Sequence, residues 1–205
     1  MKILIGCEES QAVTIEFRKR GFEAYSCDID DCSGGHPEWH IKDDIRKVLK
    51  MEDWYLGIFF TPCTFSSNSG VRWMYNEDGA INRERMENMF EYAGMLRDCL
   101  NSDIPYTGCE NPIPHKWALG VIGRKYDQII NPWQFGHGES KQTCLWLKNL
   151  PLLNPTNIVE GREQKMWKLP PSEDRAKLRS KTYPGIADAM AEQWGKYLLE
   201  QRAIS

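Results

Sequence analysis

Short apolar runs alternate with amphipathic stretches along the first 130 residues, and this alternation restricts the fold more than any other feature. The runs that predict strands are residues 2–5, 23–27, 39–41, 55–60, 105–109 and 127–131, with a further strand predicted at residues 143–147. Helical spacing of apolar side chains predicts helices over residues 12–20, 82–100 and 115–123. Strands that alternate with helices in this way form a mostly parallel sheet with helices on both faces, so we predict an α/β fold.

Composition favours one globular domain in a reducing compartment. The chain has 205 residues, 41% of them hydrophobic, with 8 Trp, 8 Tyr and 7 Phe, which supply a large apolar surface for a core. The odd count of 7 Cys indicates thiols rather than disulfides, and we expect a cytoplasmic protein. We expect no membrane partner, because no apolar run is long enough to span a bilayer and the N-terminus does not resemble a secretion signal.

The charge is unevenly distributed. The net charge of −3 argues against a general nucleic-acid coat protein. Residues 161–181, however, carry seven Lys/Arg against three Asp/Glu. This small basic extension towards the C-terminus either faces a phosphate backbone or is a solvated surface.

Acidic and polar residues follow the predicted strands, where an open parallel sheet binds its ligands. We predict cofactor-binding residues at these strand ends, namely Cys7, Glu8, Glu9, Asp28, Asp44 and Pro62. Carboxylates accept hydrogen bonds from ribose hydroxyls and an adenine amino group, but they repel a pyrophosphate. The chain has neither the dinucleotide-binding nor the P-loop glycine pattern, so a phosphate-free nucleoside such as S-adenosylmethionine fits best. The alternative is that these acids cap the following helices.

Cys63 is the candidate nucleophile. It follows a proline at the end of an apolar strand and opens a polar loop, an environment in which a thiolate attacks an electrophilic carbon. Glu110 follows the next predicted strand and is a candidate proton donor to a heterocycle.

These motifs resemble those of the cytosine-C5 DNA methyltransferases, and in particular short phage and prophage methylase-like proteins. Thr61-Pro62-Cys63 is similar to the family's Pro-Cys segment and Glu110-Asn111-Pro112 to its Glu-Asn-Val segment. The segments at residues 26–30 and 43–45 are similar to those that bind ribose and adenine, and residues 183–187 more loosely to the last family motif.

The resemblance implies a Rossmann-like methyltransferase fold and transfer of a methyl group from S-adenosylmethionine to C5 of cytosine in nucleic acid, most simply DNA. It assigns catalysis to Cys63, Glu110 and Asn111. It further implies a catalytic core over residues 1–135, a reduced, proline-rich and basic segment over 136–181 in place of a target-recognition domain, and a C-terminal helix over 182–205 that returns to the core. If the gene is phage-borne, the location is the bacterial host cell.

The chain also departs from the family pattern. Residues 7–10 replace the glycine-rich cofactor loop, and residues 139–143 retain Lys141 where the family has two arginines. We predict substrate contacts from the residues Ser66, Lys141, His137, Arg162 and Arg179. For His137, the roles of a base, a phosphate contact and a structural donor are all open. Because little chain remains for target recognition, a partner or a second copy is an expected source of it. A non-catalytic nucleotide-binding or protein-binding role and an enzyme acting on a free nucleotide remain as alternatives.

Two histidine-containing features are ambiguous. His115 either reaches the site or caps the following helix. The group Cys27, Cys32, His36 and His40 does not have the spacing of a common zinc site, and we predict no metal.

Overall fold

The computed structural model describes residues 1–163 and 181–204, which form a seven-stranded sheet with helices packed against it. Its strands are β1 Lys2–Gly6, β2 Glu23–Asp28, β3 His40–Lys42, β4 Trp54–Phe59, β5 Tyr106–Pro112, β6 Gln128–Ile130 and β7 Thr143–Lys148. The α-helices are α1 Ala12–Lys19, α2 Ile45–Val48, α3 Arg83–Leu100, α4 Lys116–Ile122, α5 Pro184–Ala189 and α6 Gly195–Ile204. The 3₁₀ helices are Pro37–Trp39, Asn68–Met74 and Pro132–Gln134, and a π-helical turn, Met190–Trp194, joins α5 to α6.

The strand order is β3-β2-β1-β4-β5-β7-β6. β1 to β5 pair in parallel, whereas β7 runs antiparallel to both of its neighbours. The predicted α/β fold with a mostly parallel sheet is therefore confirmed. The chain passes from β1 outward to β2 and β3 and then returns to β4 on the other side, so the crevice in which such sheets bind ligands opens beyond β1 and β4.

Alternating side chains of the strands supply two apolar layers, one on each face of the sheet. Ile3 and Ile5 of β1 pack with Phe17 of α1 and with Trp194 of the C-terminal helical segment. Leu4, between them, packs on the opposite face with α2, α3 and α4. This period of two is what a strand buried on both faces produces, and it places helices on both faces as predicted.

β7 comes from the segment 136–181, which the sequence assigns outside the core. All its residues from Thr143 to Leu147 are buried, because the strand inserts between β5 and β6. The sheet therefore continues beyond residue 135. The C-terminal helical segment returns to the core and packs on α1, where Arg20 bonds Asp188 and Glu192. Within residues 1–163 and 181–204, no helix has both the length and the apolar character that a bilayer span requires.

Candidate functional site

The loop that carries Cys63 leaves the sheet directly after β4. We call residues 61–67 the Cys63 loop. Pro62 is exposed and Cys63 is half-buried, while Ser66 is almost fully buried. The amides of Ser66 and Ser67 donate to the Cys63 carbonyl at 3.2 and 3.1 Å, so the chain turns immediately after the thiol.

Asn111 of β5 anchors this loop on both sides of the thiol. Its side-chain Nδ2 donates to the Thr61 carbonyl at 2.8 Å and to the Thr61 hydroxyl at 3.2 Å. The Ser66 hydroxyl donates to Asn111 Oδ1 at 3.2 Å. Asn111 is 2% exposed, and buried hydrogen bonds of this kind are costly to break. The Cys63 loop is thereby attached to the strand that carries Glu110.

His115 provides a second attachment. Its Nε2 lies 3.0 Å from the Phe65 carbonyl, and its Nδ1 accepts from the Ala118 amide at the start of α4. The two contacts require the tautomer that carries its proton on Nε2. Of the two sequence alternatives, His115 therefore caps a helix, and it also holds the Cys63 loop in place.

Glu110 lies at the carboxyl end of β5, half-buried. Thr143 of β7 donates its hydroxyl proton to Glu110 Oε1 at 2.9 Å. Burial raises the pKa of Glu110 above its ordinary value, and the Lys141 charge and the Thr143 hydrogen bond oppose that rise. A carboxyl with a raised pKa retains its proton closer to neutral pH, as a general acid must.

A cleft opens beside Glu110, between β5, β7 and the start of the C-terminal helical segment. Its enclosed volume is about 20 Å³, enough for a water molecule, and it is partly open to solvent. Its lining includes Phe60, Lys141, Lys181 and Tyr183 as well as Glu110. Cys63 is not among the described residues that line it, although Phe60 is three residues before Cys63 in the chain.

Glu8 supports the first helix. It is 4% exposed, and its carboxylate accepts from the amides of Val13 and Thr14 at 2.6 and 3.2 Å and from the Thr14 hydroxyl at 2.8 Å. Burial raises the pKa of Glu8 to about 7, against the opposing effect of these hydrogen bonds. The amides at the start of α1, which bind the pyrophosphate in dinucleotide-binding proteins, are thus already bonded to a carboxylate.

The other cofactor candidates lie along the same edge of the sheet. Cys7 has a left-handed backbone with φ of 58°, and burial raises the pKa of its thiol well above the ordinary value. The Asp28 carboxylate accepts from the Asp30 amide, and burial raises its pKa. Asp44 caps α2 by accepting from the Arg46 amide at 2.8 Å, and the Glu9 carbonyl accepts from Ser33.

The candidate substrate residues are dispersed. Ser66 lies in the Cys63 loop, and Lys141 lines the cleft beside Glu110. His137 Nε2 accepts from the Gly185 amide at 3.0 Å, where a β-carbon would lie only 1.9 Å from the Phe135 carbonyl oxygen. Arg162 stacks its guanidinium over the Trp133 ring, 4.0 Å from the centroid. Arg179 lies outside the described residues.

Three buried polar residues have structural roles at the site that no sequence pattern indicates. Thr61 and Thr143 are the partners of Asn111 and Glu110. Gln11, with φ of 57°, bonds Ser26 and the His36 backbone and so closes the loop after β2. The roles of these side chains depend on partners more than ten residues away along the chain, which a local sequence pattern does not identify. Across residues 1–163 and 181–204, no three His, Cys, Asp or Glu side chains form a group that could hold a metal.

The chain matches no protein-family model and no curated protein sequence. Among solved structures, it is similar to an E. coli prophage protein named as a DNA modification methyltransferase, with 11% identity, a TM-score of 0.47 and coverage of 83% of this chain and 55% of that one. The Entamoeba histolytica methyltransferase EhMeth is 13% identical, with a TM-score of 0.47 and coverage of 80% of this chain and 57% of that one. The S. pombe Dnmt2 methyltransferase is 14% identical, with a TM-score of 0.43 and coverage of 72% of this chain and 48% of that one.

The chain spans about half the length of these structures. At such low identities and TM-scores, the likeness supports neither an activity nor a substrate. The strand order, with β7 antiparallel between β5 and β6, fits the Rossmann-like methyltransferase fold predicted from the sequence.

Proposed function

We propose that this protein is an S-adenosylmethionine-dependent methyltransferase that acts on C5 of cytosine in nucleic acid, with Cys63 as the nucleophile. The observation that carries the proposal is the side chain of Asn111. Its hydrogen bonds to Thr61 and Ser66 hold both flanks of Cys63 on the strand that presents Glu110. A thiol and a carboxyl with a raised pKa are the two groups that this chemistry requires.

The strand ends beyond β1 and β2 fit a cofactor that has no phosphate. Glu8 already fills the amide site at the start of α1, so a pyrophosphate there meets a carboxylate instead of free N–H groups. Asp28, at the end of β2, would hold the ribose hydroxyls, and Asp44, at the start of α2, would lie towards the adenine. The chemistry that S-adenosylmethionine supplies when bound is an electrophilic methyl group.

In the proposed reaction, the Cys63 thiolate adds to C6 of cytosine while Glu110 donates its proton towards N3. This addition makes C5 nucleophilic towards the methyl group that the cofactor would supply. Once C5 carried that methyl group, loss of the C5 proton to water and expulsion of the thiolate would restore the aromatic ring, and N3 would return its proton to Glu110. Arg85 brings a positive charge to the Cys63 loop, because its guanidinium donates to the Thr64 carbonyl at 3.2 Å. Asn111 acts as a positioning residue.

The test is transfer of a labelled methyl group to duplex DNA, single-stranded DNA, RNA and dCTP by the wild type, Cys63→Ala and the control Cys32→Ala. Cys32 is a half-buried cysteine in the loop after β2, outside the Cys63 loop. We expect Cys63→Ala to abolish transfer while calorimetry shows unchanged cofactor binding, and Cys32→Ala to remain active. Full activity of Cys63→Ala, or no cofactor binding by the wild type, would overturn the proposal.

A second candidate is an enzyme that methylates a free cytidine nucleotide. The cleft favours it, because Lys141 and Lys181 line the same small space as Glu110 and offer charges to a phosphate. The dCTP arm decides between the two, since the second candidate requires transfer to dCTP to exceed transfer to every polymer.

A further inference from the structure

Two tryptophans near the Cys63 loop are exposed, although the chain buries others completely. Trp146 and Trp194 are 0% exposed, whereas Trp73 is 56% and Trp117 43% exposed. A cation covers each exposed ring: Arg72 lies 4.5 Å from the centroid of Trp73, and Lys116 lies 4.7 Å from that of Trp117. Large aromatic side chains left in solvent beside cations indicate a binding surface.

The segments that carry these rings are basic in an otherwise acidic protein. Residues 61–75 and 111–126 contain four Lys/Arg and no Asp/Glu, while the whole chain has a net charge of −3. Arg124 is neutralised by a salt bridge to Asp127. Among the described residues, Arg72, Lys116 and Lys125 take part in no salt bridge. Their charges therefore remain available to an anionic partner.

Backbone hydrogen bonds join the two segments into one structure. The Asn68 amide donates to the Ile113 carbonyl at 2.8 Å, and the His115 amide donates to the Ser66 carbonyl at 3.1 Å. Trp117 follows His115 by two residues, and Trp73 follows Asn68 by five residues. Chain reach thus keeps their Cα atoms within roughly 35 Å of each other, a span of several nucleotides. We call residues 61–75 and 111–126 together the basic aromatic surface.

Exposed aromatic rings with adjacent cations suit single-stranded nucleic acid better than a duplex. Each ring can stack an unpaired base while the cation contacts the neighbouring phosphate, whereas the bases of a duplex are already stacked on one another. Stacking and phosphate contacts make no use of a ribose 2′-hydroxyl, by which proteins distinguish RNA from DNA. Glu77 and Asp78, in the turn before Ile81, mark an acidic boundary on one side of the surface.

We propose that the basic aromatic surface binds single-stranded DNA and leads it to the Cys63 loop. The second part rests on the proposed function and names its substrate class, because an unpaired cytosine reaches the thiol without the cost of leaving a duplex. The Cys63 loop itself belongs to residues 61–75, so a strand bound across Trp73 and Trp117 passes beside it.

The test measures DNA binding in the Cys63→Ala background, so that binding is separated from methyl transfer. Fluorescence anisotropy compares a labelled single strand with the same sequence as duplex DNA and as single-stranded RNA. The variants are Trp73→Ala, Trp117→Ala and the control Phe90→Ala, which removes an aromatic ring that is 54% exposed on α3, outside the surface. Because these rings are exposed, all three variants should retain the parent's thermal unfolding.

We expect each tryptophan variant to raise the Kd for single-stranded DNA by about tenfold and Phe90→Ala to leave it unchanged. Lys116→Gln should reduce the slope of log affinity against log salt by about 0.7. Single-stranded RNA should bind about as tightly as the DNA, because the contacts do not involve the 2′-hydroxyl. Unchanged affinity in both tryptophan variants, equal or tighter binding of duplex DNA, or markedly tighter binding of single-stranded RNA overturns this inference. Normal single-strand binding by a wild type that transfers no methyl group overturns the proposed function alone.

Discussion

The two strand-end regions of this sheet use their polar side chains differently. Beyond β1, β2 and β3, the carboxylates bond backbone amides a few residues away: Glu8 reaches Val13 and Asp44 reaches Arg46. We call this region the acidic edge. Beyond β4 and β5, the polar side chains bridge separate elements, as Asn111 does over a sequence separation of 50 residues. The carboxylates of the acidic edge make local hydrogen bonds, whereas the Cys63 loop is held by tertiary contacts.

This difference has a functional consequence. A locally capped acid keeps its geometry as long as its own backbone turn is intact, and the local hydrogen bonds of Asp28 and Asp44 use Oδ1. In the Cys63 loop, the bridging side chains of Asn111 and His115 hold the backbone on both sides of Cys63. The first arrangement supports a crevice, and the second fixes the position of the segment that carries the candidate nucleophile.

The largest expected effect is that of Asn111→Ala, which removes the bridge between the two strand ends. Three buried hydrogen bonds are lost, so we expect the free energy of unfolding to fall by about 3 kcal/mol in urea titrations. Well below the unfolding midpoint, methyl transfer should fall by about a hundredfold with cofactor affinity unchanged, because misplacing a reactive group by about 1 Å costs that much.

Ser66→Ala is the matched control, because it removes one of those bonds and leaves the Asn111 amide on Thr61. It should cost about 1 kcal/mol and only a small part of the rate. Transfer by Asn111→Ala equal to that of Ser66→Ala would show that the bridge does not orient the thiol.

Glu110→Gln should lower the rate of transfer by about a hundredfold, since it removes a proton donor while keeping the acceptor for Thr143. The raised pKa of Glu110 adds a second signature. The wild-type rate should fall as pH rises through that pKa, because deprotonation removes the acid, and Glu110→Gln should lack this limb. Glu87→Gln, at an exposed position on α3, is the control. An unchanged rate in Glu110→Gln excludes the proposed role.

Local signals in the sequence were sufficient for most of the first five strands and for the helices. The helix predicted over residues 82–100 begins at Arg83, with Asn82 as its cap, because capping and apolar periodicity are both encoded within a few residues. The predicted third strand is displaced by one residue, to His40–Lys42. The terminal helix is interrupted by the π-helical turn at Met190–Trp194, which no residue pattern indicated.

Local sequence patterns did not predict the antiparallel pairing of β5 with β7. It joins residues about 30 positions apart, as in the pair of Pro112 with Thr143, and the sequence between them does not specify the partner strand. For the same reason the sequence indicated Cys63 and Glu110 by their strand-end positions but not the side chains that support them, Thr61 and Thr143. The catalytic roles themselves stay predictions until transfer is measured.

The smallest effect tests the acidic edge, through the titration of Glu8. Its pKa in the folded state, about 7, lies above the ordinary value of a glutamate, so the folded protein binds a proton that the unfolded chain has released. The stability that this proton contributes is complete at acid pH and is lost as pH rises through about 7. Between roughly pH 5.5 and 7.5, the loss amounts to about 2 kcal/mol.

In Glu8→Gln this part of the pH dependence should be missing from urea titrations, because glutamine does not titrate. Glu200→Gln makes the same change of charge at an exposed position on α6 and should retain the wild-type dependence. If both variants follow the wild type, Glu8 is ionised throughout this range. The acidic edge would then stabilise α1 with a permanent negative charge, and the contrast with Glu110, which must hold its proton to act, would be sharper still.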